Sequence, residues 1–500
     1  MNNSGYVKRN VISTVALQVV TIICGLILPK LILSYFGSNM NGLVASITQY
    51  LNYIQLLEGG VSSVIMAALY KPLSERDDYK ISSIVKATEK FFKQIGLIYI
   101  VYTVIIALVY PVIVNTGHNY MFVVTLVLII GISTCIQYLF SLTYRILINA
   151  DRKGFIVSLT NIAFLLVNLL LTVVAFKVYP EIHLIKFINA ISFVIQPIVF
   201  SFYVKRHYNL KKDVEPDTRA LSQRWAGFGQ NLAYFIHSNT DIVIITFFSL
   251  NLVSVYWVYL MIISAVRNLI NSISTAIAPS MGNIIVSQTD EKKNQAFDKF
   301  EFVIGLISTT MFTCCLLLIV QFVLLYTKNV NDADYNQPVF AVIFCLAEAI
   351  YCLRTPYISV AYSVGHFKQT SKYSYIEAGT NIVLSLILVQ RAGLIGVAIG
   401  TLVSMAYRMV MHIIYLRKHI LHRSCMKCVK NLVPFILSGA SASAVVLLFI
   451  NMRITGYFTW FLYAVVVGVI VCSFQLLFMM LLRRKMLVDC AKTYLFRKKR

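Results

Sequence analysis

The chain has 500 residues, of which 58% are hydrophobic and 13% charged, with a mean hydropathy of +0.75. Soluble chains carry about 25% charged residues, so an ordinary soluble domain is excluded. The formal net charge of +24 would point to nucleic acid in a soluble protein. Here its placement gives it another meaning, and no nucleic-acid partner is expected.

Apolar runs long enough to cross a bilayer, about 20 residues of helix, recur from end to end. They are continuous rather than alternating, which excludes a β-barrel. The chain reads as an all-α polytopic membrane protein. Lys8-Arg9 and the run Val11 to Phe36 resemble the opening of a signal peptide. The run is too long for one and lacks a small-residue cleavage site, so it is predicted to be the first span. About 14 transmembrane helices are predicted, over 10–36, 42–69, 91–114, 120–148, 155–176, 182–204, 225–250, 253–287, 299–327, 337–364, 373–390, 393–416, 431–451 and 457–482.

Of the 44 Lys and Arg, 34 fall in the N-terminus and every second loop after it, against 5 in the alternate loops. That asymmetry follows the positive-inside rule and predicts both termini in the cytoplasm. The remaining five, Lys30, Arg145, Arg267, Arg354 and Arg408, lie inside predicted spans.

A ten-residue run occurs twice. Glu89-Lys-Phe-Phe-Lys-Gln-Ile-Gly-Leu-Ile98 returns 209 residues later as Asp298-Lys-Phe-Glu-Phe-Val-Ile-Gly-Leu-Ile307, with six positions identical. At the same offset Arg145 falls on Arg354. Further on, Thr160-Asn161-Ile162 finds Thr380-Asn381-Ile382 at a slightly longer offset. Six spans separate the copies, so the halves insert with the same orientation. Two parallel six-helix repeats around a central cavity are expected. The predicted division is an N-lobe (1–204), a cytoplasmic linker (205–224), a C-lobe (225–416), and two accessory C-terminal helices with a basic tail (417–500). Arg483 to Lys485 and Arg497 to Arg500 read as topology anchors, with anionic lipid headgroups as a second choice.

Several stretches now carry a resemblance. The first two spans read Leu28-Pro29-Lys30, Phe36-Gly37, Asn41-Gly42-Leu43 and Leu57-Glu58-Gly59-Gly60. The twelfth opens Ala392-Gly393-Leu-Ile-Gly396-Val-Ala-Ile-Gly400-Thr401. With the two-lobe layout, the chain resembles the polysaccharide transporter (Wzx-type flippase) branch of the multidrug/oligosaccharidyl-lipid/polysaccharide (MOP) superfamily. The resemblance implies a multi-pass transporter of the bacterial cytoplasmic membrane. It would turn over undecaprenyl-pyrophosphate-linked oligosaccharide by alternating access during cell-surface polysaccharide biosynthesis. It also implies membrane lipids and polysaccharide polymerase or assembly proteins as partners, and no cofactor.

Charges inside spans are the informative positions, because each costs about 2.5–3.5 kcal/mol at the helix centre on the insertion scale. A pyrophosphate needs fixed cations, and an arginine fork binds it through two bonds. Lys30, Arg145, Arg267 and Arg354 are the candidate substrate-binding residues; the competing reading pairs each with an acid. Arg408, near a predicted cytoplasmic end, reads as a snorkelling structural residue. Glu58, Asp241, Glu348 and Glu377 are candidates for cation coupling or ion pairing. Glu58 precedes Gly59-Gly60, a kink signal. Asp241 follows the polar run His237-Ser-Asn239-Thr240. At the repeat offset Glu58 falls on Arg267, and Lys30 lands within three residues of Asp241, so these acids read equally as partners of basic residues across the lobes or as coupling sites.

Gly396 and Gly400 form a GxxxG pair and predict close helix packing. His419, His422, Cys425 and Cys428 are spaced by threes, but on a helix they would spread over about 13 Å and fail to surround one ion, so no metal site is expected. There is no P-loop, and the loops are too short for a catalytic domain, so no enzyme is expected. The alternatives are a cation-coupled multidrug exporter (MATE-like), a peptidoglycan lipid-precursor flippase, and, from another class, a polysaccharide polymerase or ligase. Lys30 argues against the exporter, and the repeat with plain outer loops against the polymerase.

Overall fold

The computed structural model describes residues 3–58, 61–211, 213–217, 235, 239–450 and 452–494. Gly59-Gly60, His237-Ser238, most of the predicted linker and the cluster Arg497 to Arg500 lie outside them.

The described residues are helical with no strand: α1 (Asn3–Asn52), α2 (Gln55–Glu58), α3 (Val61–Glu75), α4 (Asp78–Ile113) and α5 (Tyr120–Ile136). A π-helical turn, Gln137–Ser141, leads into α6 (Leu142–Ala150). There follow α7 (Gly154–Val178), α8 (Ile182–Phe193), α9 (Ile195–His207) and α10 (239–246). The remainder are α11 (Leu250–Ser287), α12 (Asp290–Tyr326), α13 (Pro338–Ser363), α14 (Phe367–His419), α15 (Cys425–Phe449) and α16 (Tyr457–Tyr494).

Among the described residues, eleven helices are long and apolar enough to cross a membrane. Two of these are far longer than one crossing. At ~1.5 Å per residue, a 50-residue helix would reach about 75 Å against a hydrocarbon core of about 30 Å. Both are broken at a glycine. Gly37 (φ 78°, ψ −175°) interrupts α1, and Gly393 (φ 53°, ψ −130°) interrupts α14. These positive-φ conformations favour glycine, which lacks the Cβ that would clash. Each break falls where the sequence predicted a boundary between consecutive spans. Thirteen of the fourteen predicted spans are thereby accounted for. The other, 225–250, is described only at 235 and from 239.

The second predicted span, 42–69, is not one helix. It turns at Tyr53-Ile54 before α2. Polar caps set other starts. Asp77 accepts from Lys80 N (3.0 Å), Asn119 from Met121 N (3.0 Å) and Ser424 from Met426 N (3.2 Å), satisfying first-turn N–H groups. Glu181 caps α8 through His183 N (3.1 Å) and Leu184 N (2.7 Å). Burial alone would raise this carboxyl, but those donors and His183 hold it below the usual range.

The chain folds as two compact units, Met1–Ser254 and Val255–Arg500. Residues 239–254 pack with the first unit. Ser46 and Thr246 share a hydrogen bond (2.7 Å), and Asn41 Nδ2 donates to Ser254 Oγ (2.7 Å). Gly42 lies so close to the Leu250 carbonyl that a Cβ there would collide. The core of this unit runs through α1, α4, α5 and α7, around Leu43, Phe92, Tyr99 and Leu147.

In the second unit, the two arms of α14 fold back on each other at Gly393. A Cβ at Gly396 would collide with the Leu388 backbone, and one at Gly400 would meet Ser385 Oγ at 2.5 Å and Ser385 N at 3.0 Å. Asn381 Nδ2 donates to Thr401 Oγ1 across the arms (3.0 Å). The small residues thus serve the hairpin. Gly400→Val is expected to destabilise the protein by roughly 1–3 kcal/mol through overpacking, read as a lowered melting temperature in detergent; an unchanged melting temperature would contradict it.

The two copies of the repeat run open the membrane portions of α4 and α12. Their glycines face different partners: a Cβ at Gly96 would meet the Leu139 side chain, and one at Gly305 the Phe435 ring of α15. The second copy is used to seat one of the two extra C-terminal helices.

Candidate functional site

The charges that the sequence places inside helices converge in the second unit. On α13, Glu348, Tyr351 and Arg354 are spaced three apart and so share a face. From α11, Arg267 Nη1 donates to Glu348 Oε1 at 2.9 Å. From the first arm of α14, Glu377 accepts from Arg354 Nη1 at 2.6 Å. The second arm supplies Arg408, whose Nη1 donates to the other oxygen of Glu377. The Tyr351 ring lies against both α11 and α13 guanidiniums, 5.6 Å from Arg267 and 5.1 Å from Arg354.

This cluster is buried. Glu348 is 2% exposed, Arg354 and Glu377 1%, Arg408 6% and Arg267 9%. Among the described residues three guanidiniums face two carboxylates, a formal excess of one positive charge. Its hydrogen bonding is incomplete: Glu348 Oε2, Arg354 Nε and Arg408 Nε are buried and find no hydrogen-bond partner among the described residues. His412, one turn beyond Arg408, turns its Nδ1 to the Arg408 carbonyl (2.9 Å) and leaves Nε2 buried and open. A buried, net-positive cluster with unused N–H groups is suited to an anion with several oxygens.

Four of the eight expected positions, Arg267, Arg354, Glu348 and Glu377, thus meet in one place. The other four belong to the first unit. Lys30 is half-buried in the first arm of α1, and Arg145 half-buried in α6 with no ion pair among the described residues. Asp241 is buried on α10, and Glu58 accepts a hydrogen bond from Ser62 Oγ (2.6 Å).

One expectation changes. Arg408 does not snorkel to a surface; it is buried and closes a triad with Glu377 and Arg354. Its carboxylate partner lies 31 residues back on the facing arm of a hairpin, a proximity invisible in the linear sequence. Arg267 meets Glu348 within its own unit.

A second charged cluster was not anticipated. Arg423, in the connection between α14 and α15, donates from Nη1 to Asp298 Oδ1 (2.6 Å) and from Nη2 to Glu301 Oε2 (3.2 Å). Lys427 Nζ adds a bond to Asp298 Oδ2 (2.6 Å), Asn431 Nδ2 one to Glu301 Oε2 (2.7 Å), and the Tyr357 hydroxyl donates to Glu301 Oε1. Burial works against the charge on Arg423. Glu301, the Tyr357 hydroxyl and Asp298 outweigh it and raise the guanidinium above its usual value. The signal was present in the repeat: Glu301 stands where the first copy has Phe92, a carboxylate in place of an aromatic ring. The stretch 420–424 is not helical, and Cys428 lies against the Tyr357 hydroxyl (2.8 Å); among the described residues no group could hold a metal ion.

Asp298→Ala should cost roughly 2–3 kcal/mol, because it leaves two cations short of a charge-assisted partner. Thermal unfolding of the purified variant would show this, and a melting temperature equal to that of wild type would refute it.

No protein-family model matches the chain, and no curated protein matches it in sequence. In fold the chain is similar to solved transporters, some of them of the MOP superfamily. It is similar to the lipid II flippase MurJ in an inward closed conformation, with a TM-score of 0.70 at 15% identity, over 96% of this chain and 99% of that one. It is also similar to an inward-facing multidrug resistance MATE transporter of that superfamily (TM-score 0.63, 12% identity, 80% and 95% covered). A variant of the Vibrio cholerae MATE transporter VcmN matches with a TM-score of 0.58 at 12% identity, over 84% and 98%.

Proposed function

We propose that this protein is a flippase that carries undecaprenyl-pyrophosphate-linked oligosaccharide across the cytoplasmic membrane of a bacterium by alternating access. The observation that carries the reading is coverage: the likeness to a lipid II flippase extends over 96% of the chain, against 80% and 84% for the two multidrug transporters. The residual positive charge of the buried cluster supports the same reading, since a cationic drug would favour an acidic site.

In this proposal Arg267 and Arg354 are the pyrophosphate-binding forks. Glu348 and Glu377 hold them while no substrate is bound, and the pyrophosphate oxygens take over those bonds during the cycle. Each carboxylate released in this way becomes a site for a coupling cation. Within the first unit, Lys30 and Arg145 are the candidate cations and Glu58 and Asp241 the candidate acids. Both termini face the cytoplasm, where the basic loops lie, and surface-polysaccharide assembly proteins are the functional neighbours. A second reading, favoured by the likeness to a lipid II flippase, is a peptidoglycan lipid precursor, which shares the polyprenyl-pyrophosphate group.

Purified protein in liposomes would be given undecaprenyl-pyrophosphate-oligosaccharide, lipid II or a cationic dye in turn, and outward movement followed. Exposure of the oligosaccharide to an external lectin, with the dye retained, is the expected result. Movement of lipid II alone would select the second reading. Dye efflux alone would discard both.

A further inference from the structure

The first unit carries a groove of about 660 Å³, separate from the buried arginines. One wall is a stripe of α9 and its N-cap: Val194, Pro197, Ile198, Ser201, Phe202 and Lys205. These are spaced by threes and fours and so lie on one helix face. The facing wall is the matching stripe of Ile136, Leu139, Phe140, Thr143 and Tyr144, running through the π-helical turn into α6. At one end, Glu89 and Lys93 of α4 complete it.

The backbone explains why the walls part. Pro197 has no N–H to give the carbonyl four residues back, and the helix breaks between Phe193 and Ile195. On the other wall, the π-turn inserts a widened loop of backbone, a feature often found at functional positions.

The groove is flanked by exposed apolar side chains on candidate spans. Phe140, Ile198 and Phe202 are 58%, 62% and 66% exposed on helices long and apolar enough to span. Its polarity runs along its length. The Val194 end is apolar, while the other end holds Lys205, in the last turn of α9, with Lys93. Cations at a helix C-terminus are favoured there by its dipole. Lys93 is shared with Glu89 (2.7 Å), both side chains being solvent-accessible, so two ammonium groups answer one carboxylate. From Ile195 to Lys205 the stripe climbs about 15 Å at ~1.5 Å per residue, half of the ~30 Å hydrocarbon core. A groove one leaflet deep, apolar towards mid-membrane and cationic at the surface, matches one lipid molecule.

We propose that this groove holds a phospholipid with an anionic headgroup, drawn from the leaflet at whose surface Lys93 and Lys205 lie. The phosphate sits between the two ammonium groups with the Tyr144 hydroxyl nearby, and an acyl chain lies along Phe140, Ile198 and Phe202. The site is independent of the transported substrate.

The test uses the full-length protein, delipidated in detergent and offered phosphatidylglycerol, phosphatidylethanolamine or undecaprenyl phosphate, with retained lipid counted by native mass spectrometry. Wild type should retain phosphatidylglycerol over phosphatidylethanolamine by about tenfold or more, in line with the attraction of surface lysines for anionic lipid. Lys93→Gln/Lys205→Gln, whose side chains are exposed and whose melting temperature should hold, should abolish the preference. Ser201→Trp, which fills the groove, should reduce phosphatidylglycerol retention with the lysines intact. Equal retention of the two phospholipids, or a preference that survives the double variant, would overturn the proposal. So would retention of undecaprenyl phosphate over phosphatidylglycerol.

Discussion

Glu377→Ala is expected to destabilise the protein by about 3–5 kcal/mol, the range for removing one partner of a buried charge pair. Glu377 is 1% exposed and receives both Arg354 and Arg408, one from α13 and one from the facing arm of its own hairpin. Without it, two guanidiniums lie side by side in a buried site, each short of its carboxylate. Desolvation and like-charge repulsion then act together. Glu377→Gln keeps the shape and one acceptor oxygen, so it should recover part of the loss. Arg408→Met tests the opposite case: it removes the surplus cation and leaves Glu377 paired with Arg354, and should cost less than Glu377→Ala. Melting temperatures of the three variants in one detergent would rank them. A Glu377→Ala protein as stable as wild type would show that the triad contributes nothing to holding α13 and α14 together.

Arg267→Lys is expected to slow translocation of a pyrophosphate-linked lipid by roughly 10- to 100-fold with little loss of stability. Lysine keeps the charge and can still reach for Glu348, so the buried carboxylate is not abandoned. It loses the planar fork that presents two parallel N–H groups to phosphoryl oxygens. A charge-assisted bond contributes about 1.5–3 kcal/mol, and each 1.4 kcal/mol is a factor of ten. Arg267 suits this test better than Arg354: at 9% exposure against 1%, it is the less enclosed. Transport at the wild-type rate by a stable Arg267→Lys protein would remove Arg267 from the substrate path.

Much of the fold was legible because membrane helices announce themselves through length and charge placement. Gly37 and Gly393 show how finely: one falls in a predicted gap between spans and the other on the first residue of the next predicted span, and at each a positive φ breaks an otherwise continuous helix. Breaks without such a signal were missed. The turn at Tyr53-Ile54 and the π-turn at Gln137–Ser141 interrupt apolar runs whose hydropathy does not change. The buried charges were visible one by one, since a lone Arg or Glu in an apolar run stands out. Their partners were not, because pairing is a property of packing. Arg354 and Glu377 belong to different helices, and Arg408 reaches Glu377 only because the α14 hairpin closes. The Asp298 and Glu301 cluster hid in a repeat whose matching positions drew attention to what was shared, when the difference at Phe92 and Glu301 carried the contact.

Two synthetic lipids with the same sugar and the same undecaprenyl chain, one joined through a pyrophosphate and the other through a single phosphate, would separate recognition of the linkage from general lipid movement. Outward sugar exposure in proteoliposomes would be timed for each. A pyrophosphate lipid that crosses at least about tenfold faster, with the difference erased in Arg267→Lys, is the result expected if the buried arginines read the pyrophosphate. Equal rates for the two lipids, or movement of neither while a cationic dye is expelled, would contradict it.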